Sequence, residues 1–304
     1  MYRNINAAVM GSINMDLILN MERVPETGEN VLGTSYGYAS GGKGANQAIG
    51  LSRLGAKTKI IGKVADDANG SKLLENLRKN NVDVSGVCVS GSQTGLAAII
   101  IDGEGRNRIV VYEGANAEID AIQAADCIDS GLDLLLVQFE TSENVVAECI
   151  NKAVKNKITT VIDCGPAKPF ALEQMQGATI ITPNESETKA LTGIFPENEK
   201  SVLEASKILI ERSKAEFAVL KLGERGCSVW DGKDLRLMPA YPSKVVDTTA
   251  AGDCFTATMA LEFIRSGDIL AACDMGNKAG SIAVSRMGAE ASMPTVQELL
   301  KFGI

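Results

Sequence analysis

The segment Asp247-Thr248-Thr249-Ala250-Ala251-Gly252-Asp253 sets a carboxylate, a glycine and two small residues just before a helix-like stretch, Cys254 to Arg265. Backbone N–H groups at a helix start lack intrahelical partners and carry the positive pole of the helix dipole, so they suit a phosphate or a developing anion. Gly252 lets a ligand approach the backbone closely. Asp253 stands where a carboxylate can take a proton from a nucleophile beside that anion site. The same letters fit an ordinary helix cap with a turn glycine, because Asp is a favoured cap. The segment alone leaves both readings open.

Other polar groups stand where strands are expected to end. Asn14 and Asp16 follow the apolar run Ile5 to Met10 and are two apart, so on extended backbone they point to one side. Together they can hold neighbouring sugar hydroxyls, or simply form a turn. In Ser40-Gly41-Gly42-Lys43-Gly44-Ala45-Asn46-Gln47-Ala48, a glycine-rich loop runs into a helix. Lys43 falls in the loop and Asn46 in the first helical turn, both able to face the pocket of Asn14; the spacing matches neither common nucleotide loop. Glu140 follows the run Leu134 to Val137. Asn184 and Glu187 open a helix at i, i+3, a spacing that serves either a water-mediated Mg²⁺ or a capping box. Lys221 to Gly226 forms a tight turn between two strand-like runs, a nucleotide contact or a plain hairpin loop.

The elements that must position these groups alternate. Short apolar runs at 58–62, 133–137, 158–162, 178–181 and 217–222 are separated by helix-like stretches at 70–80, 143–155 and 201–213. This pattern predicts an α/β fold, Rossmann-like, with a mostly parallel sheet and helices on both faces. Such sheets bind ligands beyond the C-terminal ends of their strands. Two segments break the pattern. Met21 to Ala39 is rich in glycine and has no helical period, and Thr94 to Tyr112 reads as a hairpin about Asp102-Gly-Glu-Gly105. We expect them to pair into a small β lid, about 14–40 and 94–113, inserted in a single unit spanning 1–304.

Composition excludes several function classes. The chain of 304 residues has a net charge of −8 and no basic tract, so nucleic acid is not an expected partner. No apolar run approaches a membrane span, and the first residues lead straight into a strand-like run, so a cytoplasmic location is expected. The seven cysteines form no C-x-x-C pair and read as small buried hydrophobes, Cys254 beside Asp253 included. Histidine is absent, which removes Ser–His and Cys–His nucleophile schemes and His-ligated metal sites.

Taken together, GSINMD (11–16), GGKGANQA (41–48), IDGEGRNRIVVYEGAN (101–116), ITPNESE (181–187), KLGERG (221–226) and DTTAAGD (247–253) resemble the ribokinase, or PfkB, family of carbohydrate kinases from end to end. GGKGANQA after GSINMD points to the branch that phosphorylates ribose. The resemblance implies transfer of the ATP γ-phosphoryl group to the 5-hydroxyl of the sugar, giving ribose 5-phosphate and ADP. A related sugar such as 2-deoxyribose, or a non-catalytic sugar or nucleotide sensor, are the alternatives.

By the same resemblance Asp253 is the base, and the N–H groups of Ala250, Ala251, Gly252 and Asp253 form the anion hole. Asn14, Asp16, Gly42, Lys43, Asn46 and Glu140, with Asp253, line the sugar site. Asn184, Lys221, Gly223, Arg225, Gly226, Gly252 and Asn277 contact ATP; position 277 is Asn here, where some relatives carry histidine. Mg²⁺ lies near Asn184 and Glu187 through water, and K⁺ near Asp247, Thr249, Ala283, Arg286, Gly288 and Ser292. A homodimer formed through the β lid is implied as well.

Overall fold

The computed structural model describes residues 4–302. In chain order the strands are β1 (Asn6–Met10), β2 (Asn14–Met21), β3 (Gly33–Gly41), β4 (Lys57–Ala65), β5 (Asp83–Ser90), β6 (Gly95–Ile101), β7 (Asn107–Tyr112), β8 (Leu134–Gln138), β9 (Thr159–Asp163), β10 (Ile180–Thr182), β11 (Phe217–Lys221), β12 (Cys227–Trp230) and β13 (Leu235–Met238). The helices are α1 (Lys43–Arg53), α2 (Ala68–Lys79), α3 (Ala121–Asp126), α4 (Glu143–Lys155), α5 (Glu185–Thr192), α6 (Glu199–Ser213), α7 (Ala251–Ser266), α8 (Ile269–Val284), α9 (Ala289–Ser292) and α10 (Val296–Lys301).

Nine strands form one sheet in the order β13-β12-β11-β10-β9-β8-β1-β4-β5. Its pairings are parallel from β11 to β5 and antiparallel only at the β11–β12–β13 edge. Burial on both faces explains the continuous apolar runs. In β8, Leu134 and Leu136 join the core under α1, α7 and α8, while Leu135 and Val137 join the core under α3, α4 and α6. Each such side chain contributes roughly 1.5–3 kcal/mol by leaving water.

A separate four-stranded sheet has the order β3-β2-β6-β7. β2 pairs antiparallel with β3 and parallel with β6, so the two aberrant sequence segments share one sheet with β2 between them. Asn14 and Asp16 therefore lie on a strand; no turn forms there. β7 is exposed along its whole length, and Tyr36 and Tyr38 of β3 are exposed too. Among the described residues no helix is long and apolar enough to cross a membrane.

Helix starts differ in a way that bears on the site. Side-chain oxygens of Asp67, Ser142, Asn184, Asn198 and Asp268 cap α2, α4, α5, α6 and α8. Among helices of eight residues or more, only α1 and α7 start without one, at Gly42 and Ala250.

Candidate active site

The approach to α7 is a loop pinned at its base. The N–H groups of Val246 and Asp247 donate to Val284 O at 2.7 and 3.2 Å. Asp247 accepts from Thr249 N and Thr249 Oγ1 on one oxygen and from Gly288 N on the other. Burial pushes the Asp247 carboxyl up, but those hydrogen bonds outweigh it and hold the group below its usual value. The chain then passes through Ala250 at φ 58°, a left-handed conformation unfavourable for alanine, and enters the helix. The N–H groups of Gly252 and Asp253 belong to the first turn, where no intrahelical acceptor exists. A Cβ on Gly252 would meet nothing closer than Lys221 Nζ at 3.7 Å, so the space above that glycine is open to a ligand.

Asp253 is not the helix cap; it lies in the first turn and is only 3% exposed. Asn46 Nδ2 donates to its Oδ2 at 2.9 Å and Gln47 Nε2 to its Oδ1 at 3.1 Å, while Lys43 Nζ stands 3.6 Å from Oδ1. Oδ2 thus keeps an open lone pair. Asn46 Oδ1 is buried without a hydrogen-bond partner. A buried acceptor left unanswered costs about 1–3 kcal/mol, so this oxygen suits a hydroxyl donor.

Three elements build one wall of the site. Gly42 has φ 91°, and a Cβ there would come within 2.7 Å of Ser12 O, so no other residue fits between β2 and α1. Lys43 is the first residue of α1, one step past the loop in which the sequence places it. Glu140 accepts from Lys43 N at 3.1 Å and from Ser12 Oγ. Asn14 Oδ1 accepts from Asn116 Nδ2 at 2.7 Å, and Asn116 Oδ1 accepts from Ile13 N at 2.9 Å. Burial, then the charges of Glu140 and Asp253, pushes the Asp16 carboxyl up to about 7.

A cleft of about 580 Å³ adjoins this wall, lined among others by Lys43, Asn184, Glu187, Lys221, Gly223, Gly252 and Asp253. Lys43 is pulled down by burial, yet Asp253, Asp163 and Glu140 more than reverse this and keep it an ammonium. Lys221 Nζ donates to Asp163 Oδ1 at 2.8 Å. Two fixed cations at an uncapped helix start can neutralise a phosphoryl group, and the neighbouring carboxylate can accept a proton.

Not every expected nucleotide contact lines this cleft. Arg225 spends its guanidinium on Glu185, Glu197 O and Pro196 O, so it braces α5 against the loop that follows it. Gly226 has φ 90°, and a Cβ there would strike the chain at Met238 to Ala240, so packing accounts for that glycine. Asn277 Nδ2 donates to Pro239 O at 3.2 Å. Cys254 is buried, and burial first and then Asp253 raise its thiol to about 12, so it is inert.

Asn184 and Glu187 form the capping box: Glu187 accepts from Asn184 N at 2.7 Å and Asn184 Nδ2 at 2.8 Å, and Asn184 Oδ1 accepts from Glu187 N. Among the described residues no cluster of three His, Cys, Asp or Glu side chains can hold a metal. The lone pairs left on Glu187 suit the waters of a hydrated Mg²⁺ rather than direct ligation. The residues expected around K⁺ come from segments 247–249, 283–288 and 292, the first two of which the Asp247 contacts with Val284 O and Gly288 N tie together. Their carboxylate and carbonyl oxygens are the donors a hard cation takes.

Sequence reading passed over four residues that the structure puts at the centre: Gln47, Asn116, Asp163 and Thr256. Asp163 takes three hydrogen bonds, from Lys221 Nζ, from Gln47 Nε2 at 2.8 Å and from Thr256 Oγ1 at 3.1 Å. Gln47 and Asn116 lie in motifs that had been singled out; Asp163 and Thr256 do not.

Residues 4–296 match the profile of the pfkB family carbohydrate kinases. The chain is 37% identical to the ribokinase of Bacillus subtilis (strain 168), over 97% of this chain and 99% of that one. Its fold matches the structure of Arabidopsis thaliana ribokinase complexed with ribose and ATP, with a TM-score of 0.88, 27% identity and 98% of each chain covered. Thermotoga maritima ribokinase gives the same TM-score at 30% identity, over 98% and 99% of the two chains. A profile match across almost the whole length, with a relative this similar end to end, establishes that the chain belongs to the pfkB family of carbohydrate kinases.

Proposed function

We propose that this protein transfers the γ-phosphoryl group of ATP to the 5-hydroxyl of ribose, releasing ribose 5-phosphate and ADP. The observation that carries this reading is the meeting of a buried carboxylate, Asp253, with the uncapped start of α7 in a cleft that also holds Lys43 and Lys221. Asp253 Oδ2 receives the hydroxyl proton as the sugar oxygen bonds to phosphorus, and the bond from phosphorus to the ADP oxygen breaks. The N–H groups of Gly252 and Asp253 face the charge that gathers on the transferred group, each donor worth about a hundred-fold or more in rate, while Ala251 N donates to Thr248 O at 3.3 Å. Little covalent chemistry is asked of the protein; alignment and charge neutralisation carry the step.

Asn14, Asp16, Asn46, Gly42, Lys43 and Glu140 are the proposed sugar contacts. The unanswered oxygen of Asn46 supports this assignment, as does the strand geometry that points Asn14 and Asp16 the same way. Asn184, Lys221 and Gly223 are proposed for ATP. Mg²⁺ held through water near Asn184 and Glu187 would neutralise phosphate charge. K⁺ held by Asp247, Thr249, Ala283, Arg286, Gly288 and Ser292 would brace the turn at Ala250. We take residues 1–304 as one unit whose four-stranded sheet acts as lid and as the contact of a homodimer, in keeping with its exposed apolar face. ATP as donor places the reaction in the cytoplasm.

The test is ADP release with ATP, Mg²⁺ and K⁺ across ribose, 2-deoxyribose, fructose, fructose 6-phosphate and nucleosides. Strong preference for ribose is the expected result. Preference for another member would move the sugar assignment, and binding without turnover of any would remove the kinase reading.

A further inference from the structure

Behind the cleft lies a carboxylate that does not line it. Asp163 ends β9 and is 0% exposed. Its Oδ1 receives Lys221 Nζ at 2.8 Å, and its Oδ2 receives Gln47 Nε2 at 2.8 Å and Thr256 Oγ1 at 3.1 Å. Gln47 Nε2 carries two hydrogens, and the second points to Asp253 Oδ1 at 3.1 Å. The other end of that amide is fixed as well, since Gln47 Oε1 accepts from Gln138 Nε2 at 2.7 Å. One amide thus bridges two carboxylates and is held against rotation by a third side chain. On the far side, Asp163 keeps the Lys221 ammonium within 3.7 Å of the place a Cβ on Gly252 would take.

We propose that Asp163 is a positioning residue for phosphoryl transfer, setting Asp253 through Gln47 on one side and the Lys221 ammonium beneath Gly252 on the other. This inference rests on the kinase reading above. A misplacement of about 1 Å in such a site costs about a hundred-fold in rate, so a single buried anchor for base and cation has a large effect on turnover. A burial role alone, in which Asp163 merely balances the charge of Lys221, makes a different forecast: Gln47→Leu, which leaves that pair intact, would keep the wild-type kcat.

Asp163→Asn and Gln47→Leu together separate the two. If the oxygen of Asp163→Asn stays with Lys221, its amide nitrogen faces Gln47 Nε2, a donor against a donor, with no change in volume, while the Thr256 hydroxyl can turn to accept. We expect kcat to fall by roughly 100-fold while KM for sugar and for ATP stays within roughly threefold. Gln47→Leu, which leaves the Asp163–Lys221 pair intact, should lower kcat in the same direction, and it keeps the proposal testable should Asp163→Asn fail to fold. A kcat within about twofold of wild type in a folded Asp163→Asn or Gln47→Leu overturns the inference while the kinase reading stands. Absence of wild-type turnover overturns both.

Discussion

In the nine-stranded sheet β8 buries all five of its residues between two helical layers, whereas in the four-stranded sheet β7 exposes all six of its own. The contrast extends to polar groups. At the strand ends of the large sheet, Gln138, Asp163 and Lys221 are buried and answer one another or their neighbours. On the small sheet, Tyr36, Val110 and Tyr112 stand open to solvent. The large sheet is covered by helices on both faces and fixes the polar groups at its strand ends in hydrogen bonds. The small sheet carries apolar surface that nothing among the described residues covers.

The sharpest way to break this contrast is at the rigid side. Asp253→Asn should lower kcat by about 10³-fold while sugar binding, followed by calorimetry, survives, because a proton acceptor is lost and almost no volume. Near-normal turnover would sink the assignment of the base. On the open side, Val110→Asp should leave kcat nearly unchanged but weaken self-association by roughly tenfold or more, as read by sedimentation equilibrium. A wild-type chain that stays monomeric at every concentration would remove the dimer.

A third experiment concerns Asp16, which belongs to the small sheet but turns its carboxylate into the site. Its pKa is raised from 3.8 to about 7, so between these values the folded state binds a proton that the unfolded state has released. Stability from this group therefore falls as pH rises from about 4 to 7. Asp16→Asn should erase that slope, so its unfolding free energy gains on wild type across the window; parallel curves would show that Asp16 stays ionised. The smallest effect is expected at Ala250. Ala250→Gly relieves a left-handed alanine and should raise stability by about 0.5–1 kcal/mol in denaturant titrations. A loss of stability would mean the turn is not strained.

Much of the fold was legible because buried parallel strands write themselves as apolar runs; 133–137 and 158–162 became β8 and β9 almost letter for letter. β5 and β13 were missed, since edge strands with one face in solvent dilute the pattern with Ser, Asp and Arg. The arc from Asp247 to Asp253 stood out because glycine and acid at a helix start have few uses. Asp163 did not, for nothing around it forms a motif. Its importance comes from partners 116, 58 and 93 positions away, and no local spacing encodes those. Arg225, expected at ATP from the resemblance, is held by Glu185 and two carbonyls, contacts 28 to 40 positions away that the turn itself does not encode.

The contacts of Asn46 and Gln47 with Asp253 span 207 and 206 positions, and this bears on how the molecule comes into being. On the ribosome, α1 is made long before α7. Until α7 docks, the inward amides of α1 have no carboxylate to meet, and one flank of α1 lacks the apolar cover it later receives from Ala257 and its neighbours. A nascent chain short of residue 253 therefore carries Asn14, Asp16 and Lys43 but neither the proton acceptor nor the helix start that phosphoryl transfer calls for. Late, non-local closure of this kind is slow and leaves the half-made chain exposed to aggregation. It also means that activity, once seen, reports the arrival of α7 and not merely the collapse of the first half.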